Sequence, residues 1–171
     1  ISSFFDTLKW ENKVKENPDI EFYLFGSLDG EHPDSIKKNE LDLIIKNYNL
    51  NWVPWSQNID YEIAKSDVIL FLSDREGGPR AILEGSAIGR PIIAKKAIGV
   101  SQFVKNNVTG VLLDNDNPEN IWKAIEKLKQ NHNFSNTLGL NGRKIIAERF
   151  SLENSSRAQL TMYYNKNFLL E

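Results

Sequence analysis

Ser73-Asp-Arg-Glu-Gly-Gly-Pro-Arg-Ala-Ile-Leu-Glu-Gly-Ser-Ala-Ile-Gly-Arg-Pro91 is the stretch on which the fold turns. Before it runs Val68-Ile-Leu-Phe-Leu72, five apolar residues without a break, short for a membrane span and suited to a strand buried on both faces. Ser73 to Gly78 reads as a loop. Pro79 suits the first helical position, where its missing N–H costs nothing. Ala81, Ile82, Leu83, Ala87 and Ile88 form one apolar side of the helix that follows. Gly89 is expected as its left-handed cap, Arg90 suits its negative end, and Pro91 prevents continuation. Ile92-Ile93-Ala94 then opens a second strand. Strand, glycine loop, helix, strand is a βαβ crossover.

Two carboxylates carry the chemistry of this unit. Glu76 stands at the carboxyl end of a strand, where open α/β sheets bind ligands. Glu84 falls in the second turn of the helix among apolar neighbours, where an unpartnered carboxylate is costly, so a hydrogen-bond partner is expected. Gly77 and Gly78 let backbone approach a ligand, and the helix-start N–H groups can hold an anion. Acceptors flanking an anion cradle suit a nucleotide sugar, with hydroxyls at both ends and a diphosphate between. A solvated Glu76 and a Glu84 that caps a neighbouring loop fit the same spacing, since one glycine turn is a weak motif.

The motifs in order resemble a known family. Glu76-Gly-Gly-Pro-Arg-Ala-Ile-Leu-Glu84 resembles the E-x7-E signature of the retaining GT-B enzymes of glycosyltransferase family 4. Gly85 to Ala94 is similar to the family's "E-A-M-A-x-G-x-P-V-I-A" segment, and Asn107-Val-Thr-Gly-Val-Leu-Leu113 to its "G-x-T-G-x-L-V". Asn117-Pro-Glu119 is similar to a "D-P-E-x-L" helix start, and Gly142-Arg143 through Arg149-Phe150-Ser151 to the "G-R…R-F-S-W" close. The likeness is strongest from Asp67 to Gly110. Ile98-Gly99-Val100-Ser101-Gln102 departs from the usual Gly-Gly-x-x-Glu, and Lys95-Lys96 stand where threonine and aspartate are common.

The resemblance implies the carboxy-terminal, donor-binding half of a GT-B fold: one Rossmann-like domain over 1–171, a doubly wound parallel sheet. Its first strand and the amino-terminal acceptor domain are expected to precede residue 1. That strand would lie between Ile20–Phe25 and Val68–Leu72, so direct pairing of those two would count against the likeness. The implied reaction is transfer of a sugar, with retention, from a nucleotide diphosphate sugar (a UDP- or GDP-sugar) to an acceptor, with no metal or other cofactor. Bacterial surface polysaccharide or glycolipid synthesis is a common setting. By the same analogy Glu76 is the catalytic residue and holds donor-sugar hydroxyls, while Glu84 holds the ribose diol. The Gly77, Gly78, Pro79, Arg80 and Ala81 backbone meets sugar and phosphate; Arg80 either helps hold phosphate or is solvated. A nucleotide-sugar epimerase of the same scaffold and a non-catalytic nucleotide-binding domain are the alternatives. A cytoplasmic protein is implied, with room for peripheral association of the full-length enzyme at the inner face of a membrane.

Composition sets outer bounds. The chain has 171 residues, is 40% hydrophobic and carries a formal charge of −2. This suits one globular domain and makes no electrostatic case for nucleic acid. Cysteine is absent, which excludes disulfide, zinc–thiolate and cysteine-nucleophile chemistry.

The rest of the chain alternates. Ser2 or Ser3 is expected to cap a helix with Phe4, Phe5, Leu8 and Val14 on its buried side, before a strand at Ile20–Phe25. Gly26 and Gly30 allow a ligand near that strand end within reach of His32, although a lone loop histidine reads first as solvated. Asp34 or Ser35 is expected to start a helix through Leu41, Ile44, Ile45 and Tyr48. Leu50–Val53 follows, running into Pro54-Trp55, and the family places this strand end by the nucleobase. Trp55 is thus a stacking candidate, although Trp52 and Trp55 read equally as edge or core aromatics. Lys95 and Lys96, at a strand end, can meet phosphate or be solvated. A final strand at Gly110–Leu113 precedes helices from Asn117, at about 133–149 and at 152–168, the last with an apolar face expected to be exposed. Phe25, Val53, Leu72 and Ala94 are expected along one sheet edge, the binding cleft.

Overall fold

The structure, a computed structural model, describes residues 8–28, 36–48, 50–74 and 77–166. Helices and strands alternate as α1 (Leu8–Glu16), β1 (Phe22–Phe25), α2 (Lys38–Tyr48), β2 (Leu50–Val53), α3 (Ile59–Lys65), β3 (Ile69–Phe71), α4 (Arg80–Ile88), β4 (Ile92–Lys95), α5 (Val100–Phe103) and β5 (Gly110–Leu113). Then come α6 (Pro118–Gln130), α7 (His132–Phe150) and α8 (Leu152–Lys166). All described strand pairs are parallel, as the βαβ reading requires. β1 lies beside β2 with Phe25 opposite Val53. In the other ladder, β3-β4-β5, Phe71 pairs with Ala94 and Lys95 with Leu113. Strand carboxyl ends therefore line up within each ladder.

β1 and β3 are not paired with each other. Side chains join the two ladders instead. One core takes Leu41, Ile44 and Leu50 from around the first ladder and Ile93, Val111, Leu113 and Leu138 from around the second, together with Trp122 of α6. Trp122 meets Phe22 of β1 edge to face, ring centres 5.9 Å apart. Lys129, at the end of the same helix, bonds Asp19 ahead of β1 at 2.6 Å. A second core, around α4 and β4, gathers Ile82, Ile92, Ala94, Val100, Phe103, Val104 and Ile146.

β3 differs from its expectation. Ile69, Leu70 and Phe71 are half-buried, whereas Ile92, Ile93 and Ala94 of β4 are fully buried. Among the described residues β4 has ladder neighbours on both sides and β3 on one. An unbroken apolar run signals burial potential without saying which strand is central.

Around α4 the punctuation holds with one shift. Pro79 is the residue before the helix, not its first, and Gly89 closes it in the left-handed region at φ 87°. The buried face is Ile82, Gly85 and Ser86, while Ala81 and Ala87 face solvent. Small residues are required there by close approach. A methyl group on Gly85 would lie 2.8 Å from Ile69 Cγ1, and one on Gly139 of α7 would lie 2.0 Å from the Gly89 carbonyl oxygen. The Arg90 N–H donates to the Gly85 carbonyl at 2.9 Å and so helps close α4, while its side chain turns to α3, Nη2 donating to the Ala64 carbonyl in the last turn at 2.6 Å.

α6 begins as expected, with the Asn117 side chain accepting from the Glu119 N–H at 3.0 Å and Pro118 in the first turn. On α8, Leu160, Met162, Tyr163 and Tyr164 are exposed. The expected features at Phe4, Phe5, Gly30, His32, Asp34, Ser35 and residues 167–168 lie outside the described residues. Among the described residues no helix is long and apolar enough to cross a membrane.

Candidate functional site

The site is built on the carboxyl side of β3, where the chain turns into α4. Glu76, the expected catalytic residue, lies outside the described residues. Gly77 and Gly78 are exposed, with open space where a side chain would stand. Pro79 is buried and pins the start of α4. Pro79 supplies no side-chain cap and none is made among the described residues, so the first-turn N–H groups are natural partners of an anion.

Glu84, one turn further on, is partly exposed rather than enclosed, its side chain 37% accessible. The partner expected for it is Arg80, whose Nη2 sits 3.4 Å from Glu84 Oε1. Arg80 itself is 87% accessible and reaches along the helix surface. Ala81 is exposed beside it. The i,i+4 spacing of Arg80 and Glu84 was the readable signal for this pair.

Gly26, Pro54 and Trp55 form a separate group at the ends of β1 and β2. Gly26 adopts φ 134°, a conformation open to glycine, and donates its N–H to the Val53 carbonyl at 3.1 Å. Its carbonyl accepts from Trp52 Nε1 at 2.8 Å, and Lys38 sits 4.6 Å over the Trp52 ring. Trp52 is thus a brace between two strand ends. Trp55 is 78% exposed, and Pro54 beside it is also exposed. Among the described residues no hydrogen bond or ion pair joins this group to Arg80 or Glu84.

Sequence reasoning missed one cluster. Lys95, last residue of the middle strand β4, places its ammonium 2.5 Å from Asp74 Oδ1 and 3.1 Å from Asp116 Oδ2. The hydrogen bond to Asp74, then that to Asp116, holds the Lys95 ammonium above the ordinary lysine range. Lys96 is exposed and 3.9 Å from Asp114. The readable signal was the alignment of three parallel strand ends, which brings Lys95 together with residues a short way beyond β3 and β5. Among the described residues no group of three or more acidic or histidine side chains is placed to hold a metal ion.

Comparison with known proteins follows the geometry. The chain is 26% identical over 153 residues to the lipopolysaccharide core biosynthesis glycosyltransferase LpsE of Rhizobium meliloti, covering 90% of this chain and 44% of that protein. It is 26% identical over 138 residues to the capsular polysaccharide biosynthesis glycosyltransferase CapM of Staphylococcus aureus, covering 81% of this chain and 36% of CapM. It thus spans less than half the length of either relative. Among solved structures it is similar to Anabaena HepE in complex with UDP-glucose, with a TM-score of 0.78 at 20% identity over 95% of this chain and 46% of that one. It is also similar to the C-terminal domain of the glycosyl transferase group 1 family protein LpcC from Francisella tularensis, with a TM-score of 0.71 at 18% identity over 83% of this chain and 75% of that one. These likenesses show the Rossmann-like fold of a GT-B carboxy-terminal half. The model of the family described as "Glycosyl transferases group 1" matches residues 5–145. The chain belongs to the glycosyl transferases group 1 family.

Proposed function

We propose that this chain is the donor-binding domain of a retaining glycosyltransferase. It takes a nucleotide diphosphate sugar, with UDP the first candidate, and works opposite an acceptor domain elsewhere in the full-length protein. The observation that carries the reading is Glu84 standing one turn inside α4, beside an uncapped helix start and an open Gly77-Gly78 turn. The UDP-glucose complex of the similar HepE structure supports the choice of base. Lipopolysaccharide and capsule synthesis, named for LpsE and CapM, support a surface-polysaccharide setting.

In this reading the diphosphate lies against the first-turn amides of α4, which favour the negative charge that grows on the leaving group. Those dipoles are fixed before donor arrives, so no reorganisation is needed as the glycosidic bond breaks. Glu84 accepts from the ribose diol and Glu76 from the sugar hydroxyls. Trp55 offers a ring face to the base. Arg80 leaves Glu84 and turns to phosphate; an exposed pair of this kind is worth no more than about 1 kcal/mol, so the exchange is inexpensive. No metal ion is required by this arrangement.

The test is calorimetric titration of the full-length protein with UDP, GDP and ADP, with and without Glu84→Ala. A net loss of one charge-assisted hydrogen bond, ~1.5–3 kcal/mol, gives an expected fall of roughly ten- to a few-hundred-fold in affinity for the preferred nucleotide. The melting temperature should not move, because Glu84 is partly exposed. Undiminished nucleotide affinity in Glu84→Ala would remove the ribose assignment.

A further inference from the structure

We infer that Lys95 is a positioning residue for the donor loop, fastening the turn between β3 and α4 to the start of α6 through Asp74 and Asp116. The inference rests on the donor-binding reading above and names a part of the site that the family pattern does not supply, since threonine is common at this position. The geometry is that of a tie with one firm end. Asp116 belongs to a braced segment: Asn115 Oδ1 accepts from the Asn117 N–H at 3.1 Å and from Asn120 Nδ2 at 2.9 Å, and Asn117 caps α6. The other end is Asp74, which leads toward Gly77 and Gly78, where nothing lies within 4 Å of a side chain built at either. Between them stands Lys95, on the central strand of its ladder, with only 18% of its side chain accessible. Its flanking residues fix its base: Ala94 is fully buried, and the Lys96 N–H donates to the Leu113 carbonyl at 2.8 Å.

A turn that must present backbone amides and a carboxylate to a sugar diphosphate binds more tightly when its conformations are restricted beforehand. Asp74 stands three positions ahead of Gly77 and two ahead of Glu76 in the chain. With Asp74 held by Lys95 and Pro79 buried, Gly77 and Gly78 lie in the chain between two fixed points. Lys95 touches neither donor nor acceptor in this account; it acts through Asp74.

The experiment compares the full-length protein with Lys95→Met, Asp74→Asn, their combination, and Lys95→Arg. Two readouts are taken: UDP-glucose affinity by calorimetry, and amide hydrogen exchange without ligand. Lys95→Met and Asp74→Asn are each expected to weaken UDP-glucose about two- to fivefold. The combination should be no weaker than either alone, because both cut the same tie. Lys95→Arg should restore most of the affinity. Without ligand, the amides of Asp74, Gly77 and Gly78 should exchange faster in Lys95→Met, while Ile93 and Ala94 stay as protected as before. Unchanged loop exchange, additive losses, or equal loosening of β4 would overturn the positioning role. If the unsubstituted protein takes up no nucleotide, the donor-binding reading fails, and the inference about donor affinity falls with it. The exchange data then report separately whether the tie exists.

Discussion

Gly139 and Gly142 lie one helical turn apart in α7, both buried against α4 or its flanks, and the geometry assigns them opposite responses to alanine. A Cβ on Gly139 would lie 2.0 Å from the Gly89 carbonyl oxygen and 2.9 Å from its carbon. Both opposing atoms are backbone, so no rotamer change relieves the clash, and α7 must withdraw from the α4 cap by at least about 1 Å. A Cβ on Gly142 would lie 3.5 Å from Ser86 Cβ, an ordinary contact. Replacing glycine by alanine inside a helix gains about 1 kcal/mol at either position. That gain cancels in the comparison, leaving the overpacking cost of about 1–3 kcal/mol at Gly139 alone, near the upper value because the obstacle is backbone. For a chain of this size about 3 kcal/mol separates the melting temperatures by roughly 6–12 °C. Gly142→Ala should melt slightly above the unsubstituted protein and Gly139→Ala below it. Urea denaturation and thermal melts followed by circular dichroism measure both. If both substitutions raise the melting temperature equally, α4 and α7 are not in close contact in solution, and the packing that aims α4 would need another account.

Four further outcomes follow from particular side chains. Trp55→Ala should leave stability unchanged, since the side chain is 78% exposed, and weaken nucleotide binding by about 1–3 kcal/mol if the ring stacks on the base; equilibrium melts and titration with UDP separate the two effects. Thr109→Val should destabilise by about 1–3 kcal/mol in a denaturant titration, because buried Thr109 Oγ1 accepts from the Lys105 N–H at 2.9 Å and valine leaves that donor unpaired. The Asp19 carboxyl is held below its usual range by the hydrogen bond from Lys129, so its contribution is present above the unfolded value and is lost as pH falls through the lower folded one. Asp19→Asn should therefore shrink the decline in stability below about pH 4 relative to the parent. Lys95 is raised, so its contribution is complete below the ordinary lysine value and disappears as pH climbs through the folded value; Lys95→Met should flatten the alkaline end of the same profile.

Local punctuation was the legible part of the fold. Gly89 and Pro91 closed α4, Asn117 and Pro118 opened α6, and short apolar runs marked β4 and β5, because each depends on a few adjacent residues. The depth of each element was less legible. Val68 to Leu72 reads as fully buried, yet whether a strand lies inside or at the margin of a ladder is decided by residues far away in the chain. The buried face of α4 was misjudged because hydrophobicity favours Ala81 and Ala87, whereas contact at 2.8 Å between a Gly85 methyl and Ile69 admits only the smallest residue. Motif spacing singled out Gly77, Gly78 and Glu84, and the structure supplied Arg80 as the partner of Glu84. The Lys95 cluster was invisible to any local window, since its members come from beyond three strand ends. Arg90 shows the same limit: its acceptor belongs to a helix 26 residues earlier.

The outer side of β5 is closed off by its own chain. Asn106 Oδ1 accepts the Leu112 N–H at 3.0 Å, the Asn107 N–H donates to Gly110 at 2.7 Å, and Asn107 adopts a positive φ of 58° to make the corner. A strand arriving from another molecule finds that margin already hydrogen-bonded. Without those contacts the β5 backbone would present free groups along its margin. Unguarded edges of this kind are where chains add to one another. Self-association during expression or concentration will therefore not begin at β5 while the Asn106–Asn107 corner is intact.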